Sequence, residues 1–90
     1  MSIILYKTNN CSKCEMLKHI LTHLKIRFDE INVEENQEAR TDLLLRNVLS
    51  FPALQINGFL FNNGSIMDNG EINSEVMKLL TKYSRLNKHG

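Results

Sequence analysis

Residues 3–14 read Ile3-Ile4-Leu5-Tyr6-Lys7-Thr8-Asn9-Asn10-Cys11-Ser12-Lys13-Cys14. The first four form a continuous apolar run, the pattern of a short buried strand. Thr8-Asn9-Asn10 is a turn cluster. Beyond it Cys14, Leu17, Ile20, Leu21 and Leu24 recur at helical spacing, which predicts a helix that begins near Cys11 and carries one apolar stripe.

A second strand is predicted over residues 27–33, with Phe28, Ile31 and Val33 as its apolar content. A helix joins the two strands, so they must be parallel with a right-handed crossover. Glu34-Glu35-Asn36 is polar, and Asn36 suits the cap of a second helix carrying Ala39, Leu43, Leu44 and Val48. Ser50-Phe51-Pro52 interrupts that pattern. Residues 53–56 and 59–61 flank Asn57-Gly58, the strongest short hairpin signal. Residues 62–70 read as a polar loop. The last helix is predicted from Glu71 or Ser74 to about Arg85, with Ile72, Val76, Leu79, Leu80 and Tyr83 facing inward. Its cap is either Ser74 or a box formed by Asp68 and Glu71.

The resulting order is β-α-β-α-β-β-α. It predicts an α/β fold: a four-stranded mixed sheet with helices on both faces. Ninety residues suit one domain, read as 1–86 with a flexible tail over 87–90. A chain this long buries roughly two thirds of its unfolded surface, enough for one modest core.

Net charge is +1 with acids and bases interspersed, which argues against nucleic acid as a partner. The longest apolar run is far too short to span a bilayer. No signal-peptide pattern follows Met1, so the expected address is cytoplasmic, where thiols are kept reduced. Two closely spaced cysteines in that setting indicate redox work or metal binding.

A cysteine is a nucleophile only as thiolate. At a helix start, Cys11 meets orphan backbone N–H groups and the positive end of the macrodipole. Lys7 and Lys13 add positive charge nearby. Cys14, one turn later, is close enough to bridge to Cys11. The expected chemistry is attack by Cys11 on a substrate disulfide, then release by Cys14.

Metal is the rival reading, because His19 and His23 complete a C-x2-C-x4-H-x3-H pattern. At about 100° per residue they lie roughly 140° and 180° around the helix from Cys14, pointing away from it, so no metal site is assigned. The metal alternative is kept as a module binding zinc or an iron–sulfur cluster shared by two chains. A third reading is a redox-inactive interaction domain with inert cysteines.

Residues 6–14, the Ile31-Asn32-Val33 strand, Phe51-Pro52 and Ile56-Asn57-Gly58 fall in the order and spacing of glutaredoxins. The chain resembles that family within the thioredoxin-like fold, and especially the redoxins that supply electrons to ribonucleotide reductase. The resemblance implies a dithiol thiol–disulfide oxidoreductase with Cys11 as nucleophile and Cys14 as resolving thiol. It implies a cis Pro52, with Phe51 pairing to the main chain of a bound peptide or thiol. It implies no tightly bound cofactor, a disulfide-bearing protein substrate, and thioredoxin reductase or glutathione as electron donor.

Three departures bear on glutathione as co-substrate. Thr8 stands where glutathione-using members carry a basic residue. Asn62-Asn63 replace their glycine pair. Asp68 is the candidate for the acidic residue that follows. Weak glutathione coupling is the expectation. Lys13 replaces a common aromatic; it either tunes the thiolate and steers an acidic partner, or is an exposed first-turn side chain. Phe59, Leu60 and Phe61 on an edge hairpin are expected to pack against the sheet in a monomer, with a dimer as the alternative. Lys82, Arg85 and Lys88 are read as complementing the last helix dipole.

Overall fold

The computed structural model describes residues 2–68 and 71–87, with only the backbone of Asp68 and residues 85–87. Its elements run β1 (Ile3–Lys7), α1 (Ser12–His23), β2 (Asp29–Asn32), α2 (Gln37–Leu45), β3 (Ala53–Ile56) and β4 (Phe59–Phe61). They continue with α3 (Asn63–Ile66), β5 (Met67–Asp68), β6 (Glu71–Ile72) and α4 (Ser74–Asn87).

Four strands form one sheet in the order β2-β1-β3-β4. β1 pairs with β2 in parallel, and the other two pairings are antiparallel. The expected mixed four-stranded sheet is present. Alternation along β1 divides the core. Ile3 and Leu5 face a cluster with Leu17 and Leu21 of α1 and Val76, Leu80 and Tyr83 of α4. Tyr6, with Ile4 packed alongside, faces the opposite cluster with Leu43, Val48 and Ala53. Helices therefore cover both faces. Each fully buried Leu or Ile here contributes about 1.5–3 kcal/mol relative to exposure.

Two helix ends share one device. Lys25 and Asn47 adopt positive φ, 59° and 62°. The next residue's N–H reaches back five positions, Ile26 to the Leu21 carbonyl at 3.0 Å and Val48 to that of Leu43 at 2.9 Å. This Schellman turn folds an apolar residue back onto the helix it has left. It explains why Val48 is buried although α2 ends at Leu45. Asn57 and Gly58 take φ of 50° and 89°, as the two-residue hairpin requires.

Several expectations need correction. Leu44 is 58 % exposed and Leu79 42 %, because each sits about 100° around its helix from the buried neighbour that meets the sheet. Phe59 is 73 % exposed, while Leu60 and Phe61 pack against the two clusters. Residues 62–70 are not simply a polar loop. They hold α3 and, with residues 71–72, a two-stranded hairpin, and Ile66 and Met67 join the core. The cap of α4 is neither Ser74 nor a box formed by Asp68 and Glu71, which pair in that hairpin. Asn73 Oδ1 accepts the Glu75 N–H at 2.9 Å. Lys88 and the tail beyond it lie outside the described residues, as does the Arg85 side chain.

Candidate active site

The register of β1 against β3 pairs Tyr6 with Ala53. One step beyond that pair, the two strands reach Lys7 and Pro52. The loop to Cys11 and the Phe51–Pro52 segment thus meet at one end of the sheet. The Phe51–Pro52 peptide bond is cis, as the resemblance implied, and Cys11 Sγ lies 4.0 Å from the Phe51 carbonyl oxygen. Pro52 is fully buried.

Cys11 and Cys14 are joined as a disulfide with a Cα–Cα distance of 5.2 Å. Cys11 is the N-cap of α1, in extended conformation at φ −111° and ψ 100°. Its sulfur accepts the Cys14 N–H at 3.1 Å, standing where a capping serine or aspartate would place an oxygen. Cys14 is 1 % exposed, beneath a half-buried Cys11. The outer sulfur is within reach of a partner and the inner one is sheltered.

An open cleft of about 490 Å³ lies beside Cys11 and is lined from Lys7 through Ser12, and by Glu15. Thr8 is in its wall, whereas Lys13 is exposed on the first turn of α1, outside that lining. The Asp68 side chain lies outside the described residues. His19 and His23 are exposed on α1 while Cys14 is buried, so the helix separates them from the sulfurs. Among the described residues, no group of three or more His, Cys, Asp or Glu is placed to hold a metal ion.

The structure adds residues that sequence reasoning missed. Asn9 donates its backbone N–H to the Glu34 carboxylate. Asn32 Nδ2 donates to Asn9 Oδ1 at 2.8 Å, and the Glu34 N–H donates to Asn32 Oδ1 at 3.0 Å. The loop that carries Cys11 is thereby tied to the turn after β2. Lys7 Nζ sits 3.5 Å from Glu30, which also takes Lys18 at 3.1 Å. Lys7 is therefore already paired, where the sequence suggested a charge available to Cys11. Burial pushes the Glu30 carboxyl up, but hydrogen bonding and charge from Lys18, then Lys7, hold it below the ordinary range. Lys18 is raised, chiefly by the hydrogen bond to Glu30 and then by its charge. Burial raises the Tyr6 hydroxyl; Arg46 offsets part of this and Asp42 adds to it. The only sequence signal for the ion group was an acidic residue in a strand that parallel pairing sets beside β1.

A strand, a turn, a helix capped by one cysteine of a disulfide and a cis-proline loop beside it define a thioredoxin-like thiol–disulfide oxidoreductase. Comparison with known proteins narrows that class. The glutaredoxin family profile matches residues 3–61. The glutaredoxin-like protein NrdH of Lactococcus lactis subsp. lactis is 32 % identical over 60 residues, covering 67 % of this chain and 83 % of the relative. The crystal structure of the thioredoxin-like protein BC3987 superposes with a TM-score of 0.70 at 24 % identity, covering 88 % of this chain and 99 % of that one. The glutaredoxin-like protein NrdH-redoxin from Escherichia coli gives 0.66 at 24 % identity, over 69 % of this chain and 82 % of the other. These two structural likenesses support the fold. The chain belongs to the glutaredoxin family.

Proposed function

We propose that this protein is a dithiol electron carrier that reduces protein or mixed disulfides through its Cys11-Ser12-Lys13-Cys14 motif. Cys11 attacks and Cys14 resolves. The observation that carries this reading is the Cys14 N–H aimed at Cys11 Sγ at 3.1 Å. In the reduced protein that donor and the helix dipole favour the Cys11 thiolate over the thiol. Burial of Cys14 delays its attack until a mixed disulfide on Cys11 brings substrate sulfur to the site. Phe51 and Pro52 flank the incoming chain, with the Phe51 carbonyl as a main-chain acceptor. Thr8 lines the cleft, and Lys13 and Asp68 are assigned to substrate binding from the family resemblance alone.

The likeness to proteins called NrdH supports ribonucleotide reductase as the disulfide-bearing partner in the cytoplasm. The Escherichia coli relative is described as having a thioredoxin-like activity profile, which supports thioredoxin reductase as the electron donor. Thr8 and Asn62-Asn63 support weak coupling to glutathione, with no cofactor held tightly.

An insulin-reduction assay tests the chemistry. Wild type is expected to reduce insulin, Cys11→Ser to be inactive, and Cys14→Ser to accumulate a mixed disulfide on Cys11 that mass spectrometry detects. Equal failure of wild type and Cys11→Ser overturns the reading. The donor is tested by comparing turnover with thioredoxin reductase and NADPH against turnover with glutathione, glutathione reductase and NADPH. Faster turnover with glutathione overturns that assignment.

A further inference from the structure

A carboxylate-bearing ligand entering the cleft beside Cys11 needs a cation or a free backbone N–H to receive it. The lining supplies Lys7 and the Asn9 N–H, and carboxylates from outside it, Glu30 and Glu34, already hold both. Lys7 is the cation in its lining, and Glu30 engages it at 3.5 Å. Lys18 anchors Glu30 from α1 at 3.1 Å, which keeps the acceptor in place. The Asn9 N–H donates to Glu34. Asn32 holds both partners, taking the Glu34 N–H and donating to Asn9 Oδ1. Glu15 sets one more carboxylate on the wall.

An incoming anion must displace an acceptor that belongs to the same molecule. The effective concentration of such a tethered group is on the order of millimolar or above, so a weakly binding anion competes poorly. Lys13 lies outside this lining. We propose that Glu34 and Glu30 are specificity-determining residues that exclude anionic small-molecule disulfides from Cys11, while neutral ones enter. The proposal rests on the reading that Cys11 attacks disulfides.

The reaction involved is balanced without a further reactant. Cys11 thiolate bonds to one sulfur of RSSR, the S–S bond breaks, and RS⁻ leaves and takes a proton. Cys14 thiolate then bonds to the Cys11 sulfur, and the second RS⁻ leaves. The protein pair is oxidised by two electrons and RSSR is reduced to two thiols.

Stopped-flow oxidation of the reduced protein tests the proposal, using glutathione disulfide as the anionic probe and hydroxyethyl disulfide as the neutral one. Each rate constant is divided by that of dithiothreitol with the same disulfide, which removes intrinsic reactivity. The normalised anionic-to-neutral ratio is expected to be below one for wild type. It should rise about three- to tenfold in Glu34→Gln and separately in Glu30→Gln, the size of one contact-range charge interaction near a surface. In 0.5 M salt the wild-type ratio should move toward the variants'. A wild-type ratio of one or more, or the same ratio in both variants, overturns the proposal and leaves the redox reading intact. If Cys11 reduces neither disulfide, the redox reading itself falls.

Discussion

Residues 3–61 carry the contacts described for the cysteine pair: the β1–α1 loop, the Phe51–Pro52 segment and the turn after β2. They are also the residues that the family profile matches. Residues 62–87 lie beyond that match, yet supply Ile66, Met67, Val76, Leu80 and Tyr83 to the core between the sheet and α1. Ser84 Oγ donates to the Leu24 carbonyl at 2.7 Å and ties α4 to the end of α1. Chemistry therefore concentrates in one region and a large part of the packing in the other. Sequence likeness follows the region whose geometry is dictated by a reaction. The covering region need only present apolar side chains of suitable volume, a demand many sequences meet.

Mutations should separate the two regions. The largest effect is expected from Cys11→Ser, which should bring disulfide reduction to background. Serine retains an N-cap oxygen, so thermal unfolding of the reduced variant should match that of reduced wild type. A large loss of stability there would mean that the site region also carries the fold. Next, Leu80→Ala or Ile66→Ala should cost about 2–5 kcal/mol in urea unfolding, because both side chains are fully buried and the alanine leaves a cavity. Below the unfolding transition, their insulin-reduction rates should stay near wild type. A cost under about 1 kcal/mol would show that residues 62–87 merely drape the sheet.

The smallest expected effect is on acid stability. The folded protein holds Glu30 below its ordinary range, whose reference is about 4.3. Its contribution is therefore present above that reference and lost as pH falls through the depressed folded value. Lys18 runs the other way. Its raised pKa gives stability below about 10.4 that is lost as pH rises through the folded value. Glu30→Gln should flatten the acid limb of the stability curve slightly and weaken its dependence on salt. An unchanged acid limb would show that the Lys7–Glu30–Lys18 group adds nothing at the sheet edge.

The amino-acid sequence by itself determined the elements that are long or punctuated enough to declare themselves. The Ile3–Tyr6 run, the stripe from Cys14 to Leu21, the Asn36 cap and the Asn57-Gly58 hairpin were all legible, because period and turn chemistry are local. So was the cysteine pair at the head of a helix. Tertiary structure alone decided the rest. Two-residue strands have no period, so in the sequence β5 reads as loop and β6 as a possible start of the last helix, and the burial of Ile66 and Met67 is not visible there. Val48 was seen as apolar but assigned to a helix that ends before it, and a Schellman turn returns it to the core. The surroundings of Cys11 depend on pairings across the sheet: Lys7 with Glu30, Asn9 with Glu34, and Cys11 with Phe51 forty residues away. Those partners meet only when the parallel register of β1 and β2 and the antiparallel register of β1 and β3 bring separate loops to the same end, which no local pattern encodes.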